Sequence, residues 1–152
     1  MQTEPPSTTA ESNESKPKCF SRFIPHIVRV LMGIMFFLPG LNGFHKFIPD
    51  PKEPMSEGAL ALMGAFASSG YMFKLIFGTQ LICGFLLLIN RFVPLALAMI
   101  APVIVNIVAF HLFLAPSGLV MAFAILAMEF YLAWAYRAAF CPMLRPRVAP
   151  GH

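Results

Sequence analysis

Four apolar stretches, at about residues 24–44, 71–89, 93–114 and 118–136, constrain this 152-residue chain more than any other feature. Each holds 19 to 22 residues. As a helix rising ~1.5 Å per residue, each reaches across a hydrocarbon core of ~30 Å. Lipid offers no hydrogen bonds to the backbone, so a spanning segment must satisfy its own N–H and C=O groups, and a helix does this within one segment. The links "NRF" and "APSG" are short enough to force the second, third and fourth stretches into antiparallel hairpins. The expected fold is all-α, an integral membrane four-helix bundle over residues 24–144. A chain that is 58% hydrophobic and 12% charged, with mean hydropathy +0.72, has the composition such a bundle requires.

The segment between the first two stretches, residues 45 to 70, is long for a helix connection in so small a bundle. Its second half, "SEGALALMGAFASSG", is apolar but too short to span, which predicts a short interfacial or re-entrant helix in the first extracytoplasmic loop. Such a helix either closes the outer end of the bundle as a lid or lies in the headgroup layer. The opening "MQTEPPSTTAESNESKPK" buries too little apolar surface to order itself, so residues 1–23 are expected to be a disordered tail and residues 145–152 a second, shorter one. No basic n-region runs directly into a short apolar segment with a cleavage site, so a cleaved signal peptide is not expected.

With four spans both termini share one side, and that side collects Lys16, Lys18, Arg22, Arg91, Arg137, Arg145 and Arg147, against Lys46, Lys52 and Lys74 opposite. The excess is expected to put both termini in the cytoplasm. The net charge of +4 comes from residues scattered at helix ends and tails, without a basic stripe, so nucleic acid is not an expected partner. Cys19, Cys83 and Cys141 stand far apart with no CxxC, which argues against a disulfide framework and a zinc site.

Polar side chains inside the spans are costly, roughly 2.5–3.5 kcal/mol for an ionisable one on insertion scales, and so each needs a reason. Arg29 and Glu129 fall at matching depths, roughly 7 to 11 Å from the inner boundary, and are expected to form a structural ion pair between the first and last spans. A second group lies near the outer end. Asn42, His45 and Lys46 share one face by their i, i+3, i+4 spacing, Gln80 shares a stripe with Cys83 and Gly84, and Asn106 and His111 belong to the outer half of the third span. Together these six are expected to line an outer polar cavity under the loop.

Asn106 and His111 are about 140° apart around a helix, so they do not form an i, i+4 metal pair, and no carboxylate-rich metal site is expected. A haem between His45 and His111 is disfavoured because Lys46 and two asparagines leave no dry, flat slot. A quinone or similar polar-headed molecule suits the donors and the surrounding Phe and Met. Alternatively, the same amides and imidazoles only fasten the helices together.

Arg29-x3-Gly33-x2-Phe36-x3-Gly40 ending in Lys46, then "GTQLICGFLLLINRFVPLAL" and "APVIVNIVAFHLFLAP", resembles the DoxX family of small four-helix membrane proteins over about residues 24 to 144. The resemblance implies a four-helix bundle in the plasma membrane and an association with quinol-linked redox complexes. Relatives often carry an acidic residue where this chain has Gln80, so a role needing a carboxylate there is not carried over. Many relatives have no assigned activity. The resemblance therefore implies either an oxidoreductase subunit or a non-catalytic one.

The expected function is a quinone-interacting or anchoring subunit of a membrane redox complex. Any electron transfer needs a partner protein carrying flavin, haem or iron–sulfur chemistry, because no cofactor motif stands in the sequence. The alternative is a non-enzymatic assembly factor or cargo-binding protein whose small-residue faces, at Gly33, Gly40, Gly84 and Ala122, contact client helices. A small-solute transporter is disfavoured by the lack of an inverted repeat or paired broken helices.

Overall fold

The computed structural model describes residues 20–49 and 55–144. The expected tails fall outside these residues, apart from residues 20–23, which already belong to the first helix. Among the described residues every regular element is helical. In chain order these are α1 (Phe20–His45), α2 (Glu57–Ser68), α3 (Met72–Leu88), α4 (Val93–Phe113), α5 (Leu119–Ala135) and a short α6 (Arg137–Phe140), with single 3-10 turns at Pro116–Gly118 and Cys141–Leu144.

Three helical segments, Phe23–His45, Val93–Phe113 and Pro116–Ala135, are long and apolar enough to cross a membrane. A fourth exists only if α2 and α3, which meet at 90°, count as one broken span. The sequence predicts a span over residues 71–89, and α3 is shorter than that for a local reason at each end. Its first turn is set by Ser69, whose hydroxyl accepts from Met72 N at 3.2 Å, while Gly70 turns the corner at φ 75°, a conformation that glycine adopts without a Cβ clash. Its last turn closes in a Schellman motif. Arg91 N donates to Leu86 O at 3.1 Å and Asn90 N to Leu87 O at 3.3 Å, with Asn90 left-handed at φ 57°.

Helix α3 packs on α1 and on α4, and α5 on α4 and on α1. The closest of these interfaces, α1 with α3, is made by glycine. A Cβ on Gly84 falls 2.5 Å from Phe37 N and 2.8 Å from its Cα, and one on Gly40 falls 2.5 Å from Leu81 N, so the two backbones meet directly. Gly33 fits against Leu88 and the Gly84 carbonyl in the same seam. Close approach of this kind maximises dispersion contacts where lipid removes the hydrophobic incentive for helices to associate. It also corrects one expectation. Gly33, Gly40 and Gly84 are buried inside the α1–α3 seam, and Ala122 is 1% exposed, so none of the four offers a face to client helices.

The core gathers Met32 and Phe36 of α1, Cys83 and Leu87 of α3, Leu97, Ile100 and Ile104 of α4, and Leu132 of α5. The outward faces are apolar as well, with Ile34, Leu75, Ile82, Leu95, Val105, Val120 and Phe130 all exposed. An apolar exterior this extensive suits hydrocarbon and not water. At the C-terminal end of α5, the Arg137 guanidinium lies 4.7 Å from the Trp134 ring centroid, a cation–π contact.

The expected ion pair between Arg29 and Glu129 is not formed. Arg29 is buried, and its Nη1 donates to the carbonyl of Leu87 and, at 3.4 Å, to that of Leu88. These are last-turn carbonyls of α3, which lack full intrahelical partners and carry the negative end of the helix dipole. Because α1 packs on α3, that helix end is the acceptor nearest to hand. Glu129 is also buried, and its Oε2 has no hydrogen-bond partner. It lines a groove of about 350 Å³ between α4 and α5, among Ala98, Ala101, Val105 and Ala133.

Candidate functional site

Helix α2 is held against the N-terminal end of α3 and the C-terminal end of α4 from its first residue. "SEGA" is an N-cap signature, a serine followed by an acidic residue in the first turn. Ser56 Oγ accepts from Ala59 N at 3.2 Å and donates to Leu114 O at 2.7 Å, just beyond the end of α4. One hydroxyl thus caps α2 and ties it to α4. Ser56→Ala is expected to cost about 1 kcal/mol. It should speed amide hydrogen exchange in α2 while leaving exchange in α4 and α5 unchanged.

Beneath α2 lies a cleft of about 250 Å³. Leu62, Met63 and Phe66 form its roof, Phe73, Ile76 and Phe77 of α3 one wall, and Val103, Ile107 and Phe110 of α4 the other. Three polar side chains enter this apolar space, Gln80, Asn106 and His111. Gln80 is 8% exposed, and its Oε1 has no hydrogen-bond partner. A buried, unpaired amide oxygen costs about 1–3 kcal/mol, a cost that a ligand donor removes. The ring of His111 is set by its surroundings. Its Nδ1 lies 2.9 Å from Ala115 O, the Phe110 ring meets it edge-on at 5.4 Å, and Gly118 leaves the space that the imidazole fills. A carbonyl only accepts, so Nδ1 carries the hydrogen in that bond and Nε2 of the neutral ring is an acceptor. Asn106 is exposed at the edge of the cleft, not turned into the helix packing.

The other three expected site residues lie elsewhere. Asn42 and Lys46 line a second cleft, of about 660 Å³, together with Lys74 and the C-terminal end of α2. His45, the last residue of α1, is exposed and lines neither cleft. Met63, Phe66, Phe73 and Phe77 border both clefts and divide one from the other. Phe73 and Phe77 stack at 5.6 Å with an 11° interplanar angle, and Phe66 meets Phe73 edge-on at 6.0 Å. Gly43 of α1 supplies the space for the Phe77 ring. A single polar chamber is therefore replaced by two clefts on either side of an aromatic partition.

Asn42 has a structural task as well. Its Oδ1 accepts from Ile48 N at 2.6 Å and its backbone carbonyl accepts from Lys46 N at 2.8 Å, which folds the chain back at the end of α1. Among the described residues no group of three or more His, Cys, Asp or Glu side chains comes together as a metal site. The residues that sequence reasoning passed over are Ser56 and the partition of Phe66, Phe73 and Phe77. The N-cap signature points to the first. The i, i+4 spacing of Phe73 and Phe77 is the only local sign of the second.

No family model matches the chain, and neither a curated protein nor a solved structure is significantly similar to it.

Proposed function

We propose that this chain is a DoxX-like protein of the plasma membrane that binds a quinone in the cleft beneath α2 and serves as the quinone-interacting or anchoring subunit of a redox complex. In this reading α1, α4 and α5 are full spans, α3 is a shorter fourth membrane helix that α2 extends at 90° along the extracytoplasmic interface, and both termini are cytoplasmic. The observation that carries it is Gln80, a buried amide with an unpartnered oxygen in a cleft lined mainly by aromatic and aliphatic side chains. Such a site favours a flat apolar body bearing a few hydrogen-bonding oxygens. Gln80 and Asn106 each present an amide, able to donate to a carbonyl or accept from a hydroxyl, and His111 adds a third polar contact. Electrons, if exchanged, come from a partner protein.

Quinone retained through purification in mild detergent tests the proposal. The intact protein is expected to keep bound quinone, and Gln80→Leu and His111→Ala are each expected to lower its occupancy by about tenfold, the loss of one well-made hydrogen bond to a buried group. Unchanged occupancy in both variants contradicts the assignment.

A second reading, a non-enzymatic assembly factor or cargo-binding protein, is favoured by the groove between α4 and α5. There Glu129 offers an unpartnered carboxyl oxygen between small residues, a setting for a neighbouring helix that carries a donor. Stoichiometric co-purification of a membrane protein without quinone, abolished by Glu129→Leu, distinguishes it from the first.

A further inference from the structure

The second cleft is a site of different chemistry, and we propose that it binds the headgroup of an anionic phospholipid of the phosphatidylglycerol type. Two lysines, Lys46 after the end of α1 and Lys74 in the first turn of α3, line the same cavity of about 660 Å³. No carboxylate among the described residues lines it with them. Its floor is apolar, formed by Met63, Phe66, Phe73 and Phe77. Two cations over an apolar floor match one class of molecule, a negatively charged head joined to acyl chains.

Local backbone preferences do not account for either lysine. Lys46 occupies a left-handed conformation, φ 45°, where glycine or asparagine is the ordinary choice, and the Asn42 clamp holds it there. Lys74 sits at the positive end of the α3 dipole, where a cation is disfavoured. Both lysines line the same cavity despite a local cost, and a shared anion offsets that cost. The level of the cavity agrees with a lipid source. It opens where α1 ends and α3 begins, which is the end of the apolar helices and hence the headgroup layer, and its volume lies within the usual range of ligand cavities, roughly 300–1,000 Å³. A phosphate diester held by the lysines leaves its acyl chains against the phenylalanine floor and then along the exposed apolar face of α3.

The proposal is independent of the quinone assignment, because Lys46 and Lys74 do not line the cleft that contains Gln80. Native mass spectrometry of the full chain from micelles with equal amounts of phosphatidylglycerol and phosphatidylcholine tests it. The chain is expected to retain phosphatidylglycerol about thirtyfold over phosphatidylcholine, the product of about fivefold from each of the two lysines. The preference should vanish in Lys46→Gln/Lys74→Gln, persist in Lys46→Arg/Lys74→Arg, and persist in Arg137→Gln at the opposite end of the helices. Inorganic phosphate is expected not to displace the lipid, because it has no contact with the apolar floor. Equal retention of the two lipids, an unchanged preference in the glutamine pair, or displacement by inorganic phosphate overturns the proposal. The arginine pair keeps both charges, so its behaviour separates loss of the site from loss of the fold.

Discussion

Gly84→Val is expected to leave little folded protein in detergent, whereas Gly78→Ala on the same helix is expected to be neutral or mildly stabilising. The two glycines differ in what surrounds them. A Cβ on Gly84 meets backbone atoms of α1, Phe37 N at 2.5 Å, Phe37 Cα at 2.8 Å and Gly33 O at 2.9 Å, none of which can rotate aside. A Cβ on Gly78 meets nothing within 4 Å. At Gly84 even alanine forces α1 and α3 apart and loosens the packing along the seam, at about 1–3 kcal/mol, and the two methyls of valine add to this. At Gly78 alanine brings only its better helix propensity, up to about 1 kcal/mol. The fraction of protein that stays monodisperse after heating measures both. Equal behaviour of the two variants contradicts a glycine-made α1–α3 interface.

Arg29→Met is the second large effect, with an expected loss of about 1.5–3 kcal/mol, the range for hydrogen bonds to a charged group. The substitution fills the space with an apolar chain of similar length but strips Leu87 and Leu88 of their guanidinium donor. Glu129→Gln behaves differently. Glu129 Oε2 makes no hydrogen bond, so replacing that oxygen by an amide removes no interaction and is expected to leave stability unchanged or raised. The double variant should equal the sum of the single variants within about 0.5 kcal/mol. A coupling well above that restores the ion pair.

These two residues also show how far the sequence carries. Depth in the membrane follows from position along a helix, and it places Arg29 and Glu129 at one level. It says nothing of which helices are neighbours or of where a side chain points. Arg29 has a long arm and a fork of donors, and the end of α3 supplies acceptors that a census of charged side chains omits. Helical character and length are more legible, because apolar content extends over whole segments. Val93–Phe113 follows the stretch at 93–114 closely, and the short apolar run after "SEG" becomes α2. The corner between α2 and α3 is less so. It depends on Gly70 and on Ser69 acting at once on α2 and α3, since its hydroxyl donates to Phe66 O at 2.6 Å while accepting from Met72 N.

The candidate site divides in the same manner. Gln80, Asn106 and His111 meet in one cleft because α3 and α4 are a hairpin, a relation that the short "NRF" link encodes. Asn42 and Lys46 are separated from them by the rings of Phe66, Phe73 and Phe77, which come from α2 and α3. No local pattern announces that partition. It arises when α2 folds back across the start of α3 and the end of α4, and grouping polar residues by depth alone merges the two compartments.

Photoaffinity labelling of the intact protein in its membrane with an azidoquinone, followed by peptide mapping, tests the quinone cleft most directly. The account predicts label on the cleft-lining residues of α2, α3 and α4, centred on Phe66, Phe77, Gln80 and Phe110, with competition by unlabelled quinone and loss of labelling in Gln80→Leu. Label confined to other faces of the helices, or labelling that Gln80→Leu leaves intact, contradicts it.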